Sequence, residues 1–64
     1  MSSETVIRAL NSEIADLQRI INADEAILKH EKSQEKHEVL IDEIRRLEEK
    51  ISKLKKRRDH FQFG

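Results

Sequence analysis

Several residue types are missing from the sequence, and each absence excludes a class of structure. No cysteine is present, which excludes disulfide bonds and thiolate metal sites. Proline, tryptophan and tyrosine are absent too, the single glycine is the last residue, and the aromatic side chains are Phe61 and Phe63. A chain of 64 residues without internal helix breakers, of which 41% are charged, has the composition of long helices rather than of a β-sheet.

Long apolar runs are also missing, since the longest are the three-residue runs 26–28 and 39–41. We therefore expect neither a membrane-spanning helix nor a signal peptide, and predict a cytoplasmic protein that does not bind membranes. The 13 basic and 13 acidic residues cancel, so the whole chain has no general attraction for nucleic acid. A domain this small usually needs a further source of stability, and without cysteine we expect oligomerisation to supply it.

Apolar residues recur alternately three and four positions apart in two stretches of the chain. In each stretch isoleucine occupies the a positions and leucine the d positions of a heptad repeat, which is typical of a helix packed against another helix. These ten residues form the predicted seam through which the helices associate: Ile7, Leu10, Ile14, Leu17, Ile21, Leu40, Ile44, Leu47, Ile51 and Leu54. Val6, Ile20 and Ile27 widen the first stripe, which favours a bundle of three or more helices.

The segment from Lys29 to Glu38 separates the two stretches and contains no aliphatic residue. Across it the heptad phase changes by about half a helical turn, so a straight helix would present the two seams on opposite faces. We therefore predict an all-α fold, a single helical domain over residues 1–64 that forms an antiparallel hairpin with coiled-coil-like heptad packing. Helix 1 is expected over about residues 4–29, the turn over about 30–34 with Ser33 as a helix cap, and helix 2 over about 35–61. One long continuous coiled-coil helix is the alternative.

Folding the chain between His30 and Glu31 brings every seam isoleucine opposite a seam leucine. In this register residues whose numbers add up to 61 face each other, for example Ile14 and Leu47. The same register places His37 opposite Asp24, and the flanking charges agree with it because Glu13 comes near Lys50 and Glu4 near Lys55.

One hairpin would leave four aliphatic residues exposed to water, namely Val6, Ile20, Ile27 and Ile41. Two hairpins packed face to face into a four-helix bundle would cover them, so we predict a homo-oligomer and favour a dimer.

Basic residues are concentrated near the end of the second helix, followed by an aromatic residue. The candidate contacts to a partner or to nucleic acid are Lys53, Lys55, Lys56, Arg57, Arg58 and Phe63. No aromatic side chain interleaves with the basic ones, which disfavours stacking on single-stranded nucleic acid. His30 and His37 lack the additional ligands that a metal site in a helical bundle requires, so we expect no metal and no cofactor.

Catalytic patterns are missing from the sequence, which has neither a nucleophile grouped with a base nor a glycine-rich phosphate loop, so we expect no enzyme. The leading hypothesis is an oligomerising helical interaction module that binds another protein as a small regulator, inhibitor or assembly factor. The alternative is a nucleic-acid-binding regulator that uses the basic run of the second helix. The predicted hairpin dimer is similar in architecture to the small RNA-binding regulators of plasmid copy number, although no motif is shared.

Overall fold

The computed structural model describes residues 2–63, which form two α-helices and contain no strand. Helix α1 spans Ser3–His30 and helix α2 spans Gln34–Phe63, each extending one or two residues beyond its predicted ends. Met1 and Gly64, which the predicted domain includes, lie outside the described residues. The two helices pack against each other in a hairpin measuring 47 × 15 × 14 Å, so the chain is not one continuous helix.

Side-chain caps explain how the chain turns without an internal glycine or proline. The hydroxyl of Ser2 accepts a hydrogen bond from the Thr5 amide at 3.3 Å and begins α1. The hydroxyl of Ser33 accepts one from the Lys36 amide at 3.4 Å, as the sequence predicts for the start of α2. Between them, a carboxylate oxygen of Glu31 accepts from the Ser33 amide at 3.1 Å. Among residues 2–63 no backbone φ is positive, so this turn does not need a glycine.

The core lies along the line where the two helices meet. Five apolar side chains are at most 9% exposed: Leu10, Ile21, Ile44, Ile51 and Leu54. The other five seam residues are half-buried, and Ile14, Leu17 and Leu47 pack against the central cluster. Eight of the ten seam residues therefore lie in the core or pack against it, and Ile7 and Leu40 are half-buried.

The register of the hairpin differs from the one expected from the sequence. Asp24 lies beside Glu43 and not opposite His37, and Arg58 donates a hydrogen bond to Asn11 at 3.0 Å. In the expected register residue 24 would face residue 37 and residue 11 would face residue 50. The observed partners, residues 43 and 58, lie six and eight residues further along α2, a displacement of about one heptad. The same displacement separates Glu13 from Lys50 and Glu4 from Lys55, so these two predicted pairs are wrong. Every ion pair among residues 2–63 lies within one helix.

An apolar layer beside the turn accounts for this displacement. Helix α1 continues to His30. The two contacts above place Leu28 level with about Leu40, whereas the expected register would place it opposite Ser33. Leu28 packs against the core and Leu40 is half-buried. Because the seam repeats every seven residues, a slip of one heptad keeps the a and d positions at the interface. The extra layer is accompanied by a buried carboxylate, that of Asp24.

Candidate interaction surface

One side of the hairpin exposes large aliphatic and aromatic side chains, which together with the half-buried Val6 we call the apolar face: Val6, Ile20, Ile27, Val39 and Phe61. Val6, Ile20 and Ile27 are separated by multiples of seven residues and therefore lie on one side of α1. Ile20 is 43% exposed, Ile27 51% and Val39 63%. Single exposed apolar residues are common, but a row of them along one side is typical of an interaction site.

Two shallow grooves connect α1 and α2 along the apolar face. The groove at the open end of the hairpin has a volume of about 580 Å³ and is lined by Val6, Ala9, Leu10, Glu13, Arg57, His60 and Phe61. The groove beside the turn, of about 280 Å³, is lined by Ile27, Glu31, Lys36, Val39 and Leu40. Lys36 and Arg57 are 21 residues apart, which is three heptads, so the two grooves open on the same side.

The opposite side of the hairpin is more polar. Its groove, of about 380 Å³, is lined by Gln18, Glu48, Ile51, Ser52, Lys55, Lys56 and Asp59. Ile41, which the sequence analysis grouped with the exposed aliphatic residues, is half-buried. Val39 and Phe61 were not predicted as part of the apolar face. Phe61 continues the d positions of the second seam by number, and it is 40% exposed.

The candidate basic contacts differ from one another in their surroundings. Arg58 is half-buried and is held by the hydrogen bond to Asn11, with its Nε atom 3.7 Å from a carboxylate oxygen of Asp59. The others are exposed and, within residues 2–63, take part in no ion pair: Lys53, Lys55, Lys56 and Arg57. Phe63 is 84% exposed at the end of α2. Arg58 thus belongs to the helix interface, and the remaining candidates are accessible to a partner.

The carboxylate of Asp24 interrupts the apolar core and lies beside the exposed Glu43. Asp24 is only 8% exposed, and within residues 2–63 its Oδ2 atom has no hydrogen-bond partner. Hydrogen bonding to Asp24, followed by repulsion from its charge, raises the pKa of the neighbouring Glu43 above its ordinary value of 4.5. This pair was not predicted from the sequence, although Asp24 occupies the d position that follows Leu10 and Leu17 in the first seam.

Histidine does not form a recognisable metal site in this hairpin. His30 is exposed and His37 is half-buried, and the part of the chain that the structure describes contains no group of three or more potential metal ligands. Neither of the described helices is long and apolar enough to cross a membrane. Comparison of the chain with family models, curated proteins and solved structures gives no match.

Proposed function

We propose that the chain is a non-enzymatic, cytoplasmic interaction module whose heptad-packed hairpin self-associates into a dimeric four-helix bundle. The assembled module binds another protein and acts as a small regulator, inhibitor or assembly factor. The observation that carries this proposal is the apolar face, whose aliphatic side chains α1 and α2 leave exposed. Burying such a face against further helices is the usual way in which a short helical hairpin gains stability.

The exposed area of the hairpin supports self-association. A compact monomer of this mass, 7.6 kDa, exposes about 4,300 Å², whereas the hairpin exposes 5203 Å². The difference of about 900 Å² is close to the roughly 800 Å² that each partner contributes to a standard interface. A second hairpin on the apolar face would bring the exposed surface per chain to the value normal for its mass.

Sedimentation and melting test the proposed dimer directly. The wild-type chain is expected to sediment as a dimer and to melt at a temperature that rises with protein concentration. The double variant Ile20→Ser, Ile27→Ser removes apolar contacts from the face and should shift the chain towards the monomer. A matched control is Ala15→Ser, Ala26→Ser, at exposed α1 positions outside the face, where serine lowers helix propensity at least as much.

A monomeric mass together with a concentration-independent melting curve of the wild-type chain would disprove self-association. If the double variant and its alanine-to-serine control weakened dimerisation equally, the apolar face would not be the interface. The protein partner is tested separately, by capture from lysate with and without nuclease treatment. A bound protein that survives nuclease and moderate salt is expected, whereas loss of every bound species on nuclease treatment would contradict protein binding.

The exposed basic run supports nucleic-acid binding as a second candidate function. Lys55 and Lys56 are exposed on the side opposite the apolar face and take part in no ion pair among residues 2–63, so they are accessible to phosphates. If they bind duplex DNA, the logarithm of the affinity should fall with the logarithm of salt concentration, by about 0.9 for each neutralised phosphate. Lys55→Glu, Lys56→Glu should abolish binding of labelled DNA and RNA duplexes, whereas the control Lys29→Glu, Lys32→Glu should not. Equal loss in both variants would indicate only a non-specific effect of net charge.

A further inference from the structure

Two symmetric arrangements are open to a pair of hairpins that bury the same face. If the two-fold axis runs along the length of the bundle, α1 of one copy lies against α2 of the other. If the axis crosses the bundle at right angles to the helices, α1 lies against α1 and α2 against α2. We propose the lengthwise arrangement, with a second copy of this chain as the occupant of the apolar face. This inference rests on the self-association proposed above and adds the identity of the helices that meet.

The charges beside the apolar face distinguish the two arrangements. On α2, Arg57 and His60 line the groove of this face. Lys50 lies one heptad before Arg57 and Lys53 one heptad before His60, so both lysines are on the same side. On α1, Glu13 lines the same groove. The crosswise arrangement would therefore place the basic side chains of one α2 against those of the other. The lengthwise arrangement instead places Glu13 of α1 against the basic side chains of α2.

The observed register makes the lengthwise contacts specific. The contacts of Asp24 with Glu43 and of Asn11 with Arg58 place residue 13 level with about residue 55 of α2. A two-fold axis along the bundle keeps the same level in the second copy, so Glu13 meets the segment between the second copy's Lys53 and Arg57. Opposite charges of this kind set the pairing of helices even where each exposed contact is weak.

Apolar contacts complete the interface at both ends of the bundle. At the open end, Val6 is level with residue 62 and meets Phe61 of the second copy. Near the turn, Ile27 is level with residue 41 and meets Val39. Ile20 is level with residue 48, where the aliphatic stem of Lys50 can cover it while the charged end stays in water. Each exposed member of the apolar face thereby gains a neighbour.

Spin-label distances between copies test the arrangement, because the chain has no cysteine and single cysteines can be labelled selectively. In the lengthwise arrangement the two copies of Lys29→Cys lie at the same level, and the labels should be about 15–30 Å apart, given interaxial distances of about 10 Å. In the crosswise arrangement residue 29 lies about 12 residues from the axis, so the labels should be at least about 37 Å apart. The control Ala15→Cys lies near the middle of α1 and should give a short distance in both arrangements.

A dimer with a short distance at residue 15 and a long one at residue 29 would overturn the lengthwise arrangement but leave self-association intact. A monomeric mass without any distance between copies would disprove both proposals. Charge reversal supplies a second measurement, for which the two arrangements predict opposite changes in dimer affinity. Lys53→Glu should weaken the lengthwise dimer at least threefold, since it faces Glu13, and Glu13→Lys in the same chain should restore association. A stronger dimer on Lys53→Glu alone is the crosswise result.

Discussion

At the scale of single residues, the buried carboxylate of Asp24 is an unfavourable feature of the hairpin. Asp24 is only 8% exposed, and one of its oxygens has no hydrogen-bond partner within residues 2–63. A buried acceptor without a partner loses its hydration without compensation. A hydrogen bond to Asp24, together with the like charge of Asp24, raises the pKa of the neighbouring, exposed Glu43.

Replacing Asp24 by leucine should stabilise the protein. The substitution removes a buried unsatisfied group and adds apolar contacts, and we expect a gain of about 1–3 kcal/mol in the free energy of unfolding. Urea unfolding at fixed protein concentration measures it. Asp24→Asn removes the charge but keeps a polar group, so its gain in the free energy of unfolding should be smaller. If Asp24→Leu instead destabilised the protein, the carboxylate would have a stabilising role.

The raised pKa of Glu43 predicts a specific pH dependence of stability. The folded state binds this proton more tightly than the unfolded state, so the free energy of unfolding should increase as the pH falls through the raised pKa of Glu43 towards 4.5. Glu43→Gln should remove this increase. The test is to compare the urea midpoints of the wild-type chain and of Glu43→Gln over the mildly acidic range. If the two midpoints changed in parallel with pH, the pH dependence would not come from Glu43.

At the scale of the helices, side-chain caps define where each helix begins. The Ser33 hydroxyl accepts from the Lys36 amide at 3.4 Å, a rather long hydrogen bond at the exposed start of α2. The last turn of α1 contains Lys29 and His30, whose positive or ionisable side chains are favourable near a helix C-terminus. These local interactions direct the chain out of α1 and into α2 without a left-handed residue.

Removal of the Ser33 cap should therefore have a small but measurable effect. Ser33→Ala is expected to lower the free energy of unfolding by at most about 1 kcal/mol. Ser12→Ala, in the middle of α1, should be neutral or slightly stabilising because alanine is the better helix former. Thermal melting followed by circular dichroism at one concentration compares them, and equal effects would show that the cap does not stabilise α2.

At the scale of the whole molecule, the hairpin uses both seams internally and still leaves an apolar face. The area exposed beyond that of a compact monomer matches one half of a standard interface, which is why we propose a bundle of two hairpins. The exposed basic run of α2 has a role in either proposed function, as a complement to Glu13 of α1 or as a contact for phosphates.

Intrachain distances should show both the hairpin and its register. Labels at Ala15 and Ser52 lie at the same level in the structure and should be about 10–25 Å apart, whereas in a continuous helix 37 residues would separate them by about 55 Å. The matched pair Ala15 and Arg45 is offset by one heptad, about 10 Å along the axis, and should give the longer distance. Measurements use labelled chains diluted with unlabelled protein. A shorter distance for the Arg45 pair would support the register expected from the sequence.

The helices and their seams could be predicted from the sequence because they depend on local properties. Helix propensity, the absence of breakers and the three-four spacing of isoleucine and leucine predict which residues face another helix, and all ten seam residues are buried or half-buried. The register could not be predicted in this way, since a heptad repeat matches itself after every slip of seven residues. Only packing in three dimensions, with Leu28 beside the core and the chain turning at residues 31–33, selects one register. That choice buries Asp24 and brings Val39 and Phe61 to the same side as Ile20 and Ile27, because tertiary contacts determine which side chains meet across the two helices.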